Sequence, residues 1–183
     1  MNSSITTKVV NFIGAPSVGK STMSSLVYAE MKMLHKSVEI VPEVAKWLIY
    51  KDQIEKLNDQ YFVSSKQYKQ VKALDGKIEY VIGDSGIISG LYYNRAYSNN
   101  MSDISKTEQM ILSKNNEFQN IYIFIEKNTD FAYENEGRIH TEEQSNIIQL
   151  ELKEMLNELN LPYKSFLSSK KSVPGIVEYI LSF

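Results

Sequence analysis

Eight consecutive residues, Gly14-Ala15-Pro16-Ser17-Val18-Gly19-Lys20-Ser21, satisfy the pattern G-x-x-x-x-G-K-[ST]. Each residue type in it has a chemical task. The glycines let the backbone curl until its N–H groups face an anion, and the helix that such a loop opens adds the partial positive charge of its N-terminus. Lys20 brings a full charge to the β- and γ-phosphates, and the Ser21 hydroxyl is a hard oxygen ligand for Mg²⁺. Residues 14–22, closing on Thr22, are therefore the expected site of a nucleoside triphosphate, ATP with Mg²⁺.

Two carboxylates and one guanidinium complete the chemistry. Glu43 follows an apolar run and Pro42, and Asp84 follows another, in Ile82-Gly83-Asp84-Ser85-Gly86. A carboxylate at the end of a strand beside a bound phosphate can accept the proton of an attacking hydroxyl or support Mg²⁺. Glu43 is expected to face the acceptor and Asp84 to serve the metal together with Ser21. The 20 basic residues are 18 lysines and two arginines, Arg95 and Arg138. An arginine kept in so lysine-biased a chain points to a need for the planar guanidinium fork.

These groups need elements to carry them. Residues 7–13 (TKVVNFI) read as a buried β-branched strand, followed by a helix over 20–34. A second strand over 37–41 stops at Pro42, and helices follow over 44–50 and 61–74. A third strand covers 78–82 and ends at Gly83-Asp84-Ser85-Gly86, with helices over 87–97 and 102–115. The strand over 121–125 (IYIFI) is the most apolar. Thr141-x-x-Gln144 is a capping box that opens a long helix with Ile148, Leu152, Met155, Leu156 and Leu159 on one face. A strand over 163–167 and a helix over 174–183 close the chain. This alternation predicts an α/β fold: a doubly wound parallel sheet of about five strands with helices on both faces. Ligands bind such sheets at the strands' C-terminal ends, where the loops at 14–21, 42–43 and 83–86 would meet.

Composition narrows the function. A length of 183 residues suits one domain. The absence of cysteine excludes disulfides, thiol nucleophiles and cysteine-bound zinc, and two histidines, His35 and His140, exclude a histidine-rich metal site. A net charge of −2 argues against a protein that coats duplex nucleic acid. No run approaches the roughly 18 apolar residues of a membrane span, and the polar N-terminus carries no signal-peptide core, so a cytoplasmic protein is expected. The 12 tyrosines leave room for a homodimer without localising an interface.

Three classes of phosphate-loop protein compete. A GTPase switch needs DxxG, but after Asp84 the glycine comes one position early, and Lys127-Asn128-Thr129-Asp130 only scrambles NKxD. A ring or transport ATPase needs a second acid beside the Walker B aspartate, where Ser85 stands. A small-molecule kinase needs the loop, an acid near the acceptor and a basic lid, and all three have candidates. A regulatory ATPase with no small acceptor and a 5′-polynucleotide kinase remain as alternatives.

The segment Val38-Glu39-Ile40-Val41-Pro42-Glu43-Val44-Ala45-Lys46-Trp47 resembles the V-P-E-P-V-A-R-W-like stretch of deoxynucleoside kinases, which carries their catalytic glutamate. Glu43 is the matching residue; the second proline is missing and Lys46 replaces the arginine. Gly83-Asp84-Ser85-Gly86 resembles the D-R-[SG] turn of nucleoside and nucleotide kinases without its arginine. Gly137-Arg138, Thr141-Glu142-Glu143 and Leu161-Pro162-Tyr163 look like the phage and bacterial P-loop kinases related to the nicotinamide riboside kinase domain of NadR. This resemblance spans nearly the whole chain. It implies a single kinase domain over 1–183 that moves the γ-phosphoryl group of ATP to a nucleoside or nucleoside monophosphate. It also implies a lid at about 127–141, with Arg138 closing over the phosphates. Gln67 stands where nucleoside kinases place an amide against the base. Trp47, Tyr50, Tyr68, Tyr92 and Tyr93 are candidates to stack on it, and Arg95 either clamps a substrate phosphate or neutralises a helix end. His140, beside the lid, is expected to be solvated.

Overall fold

The computed structural model describes residues 5–128 and 139–183. Its strands are β1 (Lys8–Ile13), β2 (Val38–Val41), β3 (Tyr80–Gly83), β4 (Gln119–Glu126) and β5 (Tyr163–Leu167). Its helices are α1 (Lys20–Met33), α2 (Val44–Tyr50), α3 (Gln60–Lys72), α4 (Ser89–Ala96), α5 (Ile104–Asn115), α6 (Glu142–Glu158) and α7 (Val173–Leu181). The strands form one parallel sheet in the order β2-β3-β1-β4-β5. The expected fold class is borne out.

Physical cause is plainest at the centre. β1 and β4 are covered on both faces, so their side chains are almost continuously apolar instead of alternating, and Val9, Val10, Phe12, Ile13, Ile123 and Phe124 are fully buried. β5 lies at one edge and exposes Lys164 and Ser165, a charged rim of the kind that blunts an edge strand. The crossover from β1 runs toward the β2 edge, and the next three run the opposite way. Right-handed crossovers then require opposite faces. Accordingly α1 packs with α7, while α3, α4, α5 and α6 pack with one another. The connections part at β1, so the crevice outside its C-terminal end is where a ligand would sit.

Element boundaries move where a local bond intervenes. The third strand starts at Tyr80, because the Thr7 hydroxyl takes the Ile78 carbonyl at 2.6 Å and holds it out of the ladder. α3 starts at Gln60 because the Asp59 side chain accepts the Phe62 N–H at 2.9 Å, and α5 starts after Asp103, which caps Lys106 in the same way. A short 3₁₀ turn, Ile54–Asn58, between α2 and α3 was not expected; its Leu57 packs with Val44 and Leu48 in a small satellite core beside the crevice. The capping box of α6 forms as expected, with Thr141 and Gln144 each bonding the other's backbone.

The face of α6 that meets the sheet is testable. Leu152 is fully buried and Leu150 is 65% exposed. Leu152→Ala should cost about 2–5 kcal/mol of unfolding free energy in a urea titration, and Leu150→Ala less than about 0.5 kcal/mol. Equal costs would contradict this packing.

Candidate active site

The loop between β1 and α1 is curled as its glycines require. Gly14 (φ 154°), Ser17 (φ 61°) and Gly19 (φ 94°) all have positive φ. At Gly19 space agrees with conformation, since a Cβ there would collide with the Ser168 hydroxyl in the loop after β5. Ser168 is itself anchored, its N–H donating to the Glu126 carbonyl at 2.9 Å and its carbonyl accepting from Asn128 at 3.1 Å. Lys20 is buried, and its ammonium donates to the Ala15 carbonyl at 2.8 Å, which folds the side chain back over the loop.

Asp84 closes the loop from β3. Its Oδ2 accepts the Ser21 hydroxyl at 2.6 Å and its Oδ1 the Ser24 hydroxyl at 3.2 Å, while its N–H donates to the Val41 carbonyl at 3.1 Å. It does not cap α4, which begins five residues later. Ser21 and Asp84 thus pair two hard oxygens at the phosphate end of the crevice. Among the described residues no three His, Cys, Asp or Glu gather to hold a metal by themselves. A cation held here would take its other ligands from phosphates and water, and that donor set fits Mg²⁺.

Glu43 is the residue before α2, yet its carboxylate does not cap that helix. It is half-buried and lines a cleft with Lys20, Lys46, Gln60, Ser64 and Gln67. The cleft has a volume of about 90 Å³ and opens to solvent. Ile49, Leu57, Val63, Ile87, Tyr93 and Tyr97 make its walls largely apolar, and Pro16, Ser85 and Gly86 join it to the phosphate loop and the Asp84 turn. The placement of Glu43 depends on Gln67, whose amide accepts the Val44 N–H at 3.0 Å and donates to the Pro42 carbonyl at 3.3 Å. Gln67 therefore grips the backbone on either side of Glu43. Gln67, expected to face a base, lines the cleft with one acceptor and one donor position of its amide given to that turn.

Trp47, Tyr50, Tyr68, Tyr92 and Arg95, also expected at the substrate, do not line this cleft, and the Tyr68 hydroxyl donates to Glu117 at 2.7 Å. Trp47 lies on the outer side of α2, half-exposed against Tyr50, because Val44 and Leu48 take the inner side. The Tyr92 hydroxyl donates to Glu151 of α6 at 2.6 Å, and burial together with that carboxylate raises it well above the usual phenol range. Arg95, at the end of α4, donates to Glu108 at 2.5 Å. His140, expected in solvent, instead lines the cleft next to Tyr93, with ring centroids 6.3 Å apart. Arg138 and most of the expected lid lie outside the described residues.

Two residues of α6 escaped the sequence reading. The buried Ser145 hydroxyl donates to the Pro16 carbonyl at 2.6 Å. Gln149 Oε1 accepts the Ala15 N–H at 2.7 Å, and its Nε2 donates to the Ile125 carbonyl at 2.8 Å. Their spacing of four was visible as one helix face, but nothing in it names the loop more than 120 residues away as the partner. Gln149→Leu leaves the Ala15 N–H and the Ile125 carbonyl unpaired. It should lower stability by about 1–3 kcal/mol and weaken ATP binding roughly ten-fold by calorimetric titration, since the loop loses a tether worth about that much. Unchanged ATP affinity in the folded variant would contradict this tether.

No curated protein matches the sequence. Among solved structures, the NadR protein in complex with NAD and AMP-PNP superposes with a TM-score of 0.70 at 17% identity, over 94% of this chain and 49% of that one. The chain thus spans about half the length of that NadR chain. Deoxyadenosine kinase from M. mycoides is similar in two structures. The one with dCMP and a flexible dCDP gives a TM-score of 0.61 at 20% identity, covering 96% of this chain and 100% of that one. The one with dCTP gives 0.59 at 18%, covering 95% and 98%. At such identities the likeness concerns the fold, that of a P-loop nucleoside or nucleotide kinase. A family model described as AAA domain matches residues 9–170, from β1 to the turn after β5. That span takes in the phosphate loop, both carboxylate turns and the α6 tethers, and so the chain belongs to the AAA domain family.

Proposed function

We propose that the chain is an ATP-dependent kinase that transfers the γ-phosphoryl group to a hydroxyl of a nucleoside or nucleoside monophosphate. The observation that carries this reading is Glu43. Its carboxylate caps no helix, and it lines the same cleft as the phosphate-loop lysine. A phosphate-binding switch needs no such pocket beyond its phosphates, whereas a kinase needs one with an acid at the junction.

ATP would lie with its phosphates in residues 14–22, held by loop N–H groups and by the Lys20 ammonium. Mg²⁺ held by Ser21, with Asp84 behind it, would offset phosphate charge and orient the terminal group. The acceptor occupies the apolar cleft, its hydroxyl toward Glu43. That oxygen bonds to the γ-phosphorus, the bond from the γ-phosphorus to the bridging oxygen breaks, ADP leaves, and the hydroxyl proton passes to the Glu43 carboxylate. Burial of Lys20 and the apolar walls keep water from competing for the phosphoryl group. The kinase resemblance assigns Arg138 the closing contact on the transferring group.

Transfer of labelled γ-phosphate from ATP to a panel of nucleosides and nucleotides tests the assignment through variants. Lys20→Ala should remove transfer with the fold intact. Glu43→Gln should lower kcat by roughly 10²–10⁴-fold with little change in ATP affinity. Arg138→Lys keeps the charge but loses the fork, and kcat should fall steeply, since such an arginine supplies roughly 10³–10⁵-fold elsewhere. Silent Glu43→Gln and Arg138→Lys variants would leave an ATP-binding regulator in place of a kinase.

A further inference from the structure

The outer side of α2, turned away from the cleft, differs in charge from the rest of the chain. Residues 44–72 carry six lysines against three acids, Asp52, Glu55 and Asp59, although the whole chain has a net charge of −2. Elsewhere lysines meet carboxylates, Lys32 at Glu39, Lys114 at Glu117 and Lys153 at Glu126. Lys51, Lys56 and Lys66 are exposed and form no ion pair among the described residues. Lys56 donates to the Gln53 amide at 2.9 Å, and Lys66 Nζ lies 5.6 Å from the centre of the Phe62 ring. These three lysines line one groove of about 550 Å³ together with Trp47, Gln53 and Phe62, and among the described residues no acid lines it. Trp47 is the one tryptophan of the chain and is 51% exposed, an unusual place for an indole. It meets Tyr50 edge-on at 66°, so the two rings do not stack on each other.

We propose that this groove binds a single-stranded nucleic acid, with phosphates on Lys51, Lys56 and Lys66 and bases stacked on Trp47 and Tyr50. The site is independent of the kinase reading. Its cations stand on three separate elements, the end of α2, the 3₁₀ turn and α3, which suits a chain of repeated charges better than one compact anion. An acidic peptide would meet the lysines but give the exposed indole no planar partner. A duplex would also meet the lysines, but its bases are already stacked on one another. A single strand offers spaced phosphates and open base faces together, and the pairing of a basic groove with aromatic side chains answers both. Pro42 and Val44, on either side of Glu43, line the groove as well. A bound strand would therefore lie against the back of the turn that carries Glu43 into the cleft.

Fluorescence anisotropy of a labelled oligothymidylate of about ten nucleotides, titrated with the full chain, tests this. Mg²⁺ and a non-hydrolysable ATP analogue are kept in excess so that the phosphate loop is filled. The strand should bind with a Kd below roughly 100 µM in low salt. Its affinity should exceed that of the matching duplex and of polyglutamate by about ten-fold or more. The logarithm of affinity should fall with the logarithm of salt concentration at a slope of about −2, as three neutralised phosphates require. Trp47 emission should be quenched at saturation, and with no second tryptophan in the chain that signal reports on the groove. Lys51→Gln with Lys66→Gln should bring the slope to about −0.7, and Trp47→Ala should lower affinity about ten-fold at an unchanged slope. Thermal melts check that the variants fold, and the wild-type slope and quenching stand alone if they do not. No binding, binding no tighter than that of the duplex or polyglutamate, Trp47 emission unchanged at saturation, or wild-type affinity in the folded variants would overturn the proposal. None of these outcomes bears on the kinase reading, which is decided by phosphoryl transfer.

Discussion

A site for polyphosphate must concentrate positive potential on a few atoms and hold them there before any anion arrives. Backbone N–H groups and one buried ammonium aimed at the same space do not stay so aimed unaided, because the curled loop is entropically costly. This protein meets the requirement by fastening the loop on several sides. Asp84 of the β3 turn holds Ser21 and Ser24. Ser145 and Gln149 of α6 hold Pro16 and Ala15. Ser168 fills the space that the missing side chain of Gly19 leaves. Strands β1, β3 and β4 must therefore be adjacent and parallel, since only then do the β3 turn and the helix after β4 reach the loop after β1.

The same arrangement ties the phosphate loop to the apolar cleft beside it. Pro16 and Lys20 belong to both, and the Asp84 turn continues through Ser85 and Gly86 into the cleft wall. Glu43 stands on the far side, held by Gln67 through the backbone and not through its carboxylate. That separation of roles has a chemical logic. A proton-accepting carboxylate keeps its lone pairs for substrate if its position is set by the peptide groups that flank it. The apolar walls raise the cost of leaving any polar group of a bound molecule unpaired.

The sheet, its parallel order of elements, the phosphate loop and the two strand-end carboxylates were legible in the sequence because each is written locally: runs of β-branched residues, a glycine pattern, an acid after an apolar run. The long helix α6 was legible for the same reason, from its capping box and its apolar spacing. Choices made across the fold were not. Gln60 and Gln67 are both amides on one face of α3, and only their backbone partners, the Leu57 carbonyl for one and the turn around Glu43 for the other, tell them apart. Tyr92 and Arg95 looked equally suited to a ligand, and each is instead bonded to a carboxylate on a neighbouring helix, Glu151 and Glu108. Trp47 faces outward because its helix has one inner side and two aliphatic residues occupy it. For the two amides, Tyr92 and Arg95 the partner lies on another element, and helical spacing carries no record of it.

As a kinase, the chain would direct the γ-phosphoryl group to an organic hydroxyl in the cleft beside the phosphate loop and away from water. Phosphorus NMR of the products, with ATP, Mg²⁺ and a mixture of nucleosides and nucleoside monophosphates present, measures that destination directly. A kinase gives ADP in step with a new organic phosphate, with little inorganic phosphate and little ATP consumed when the acceptors are left out. Inorganic phosphate as the sole new product, released at the same rate with and without acceptors, would contradict it.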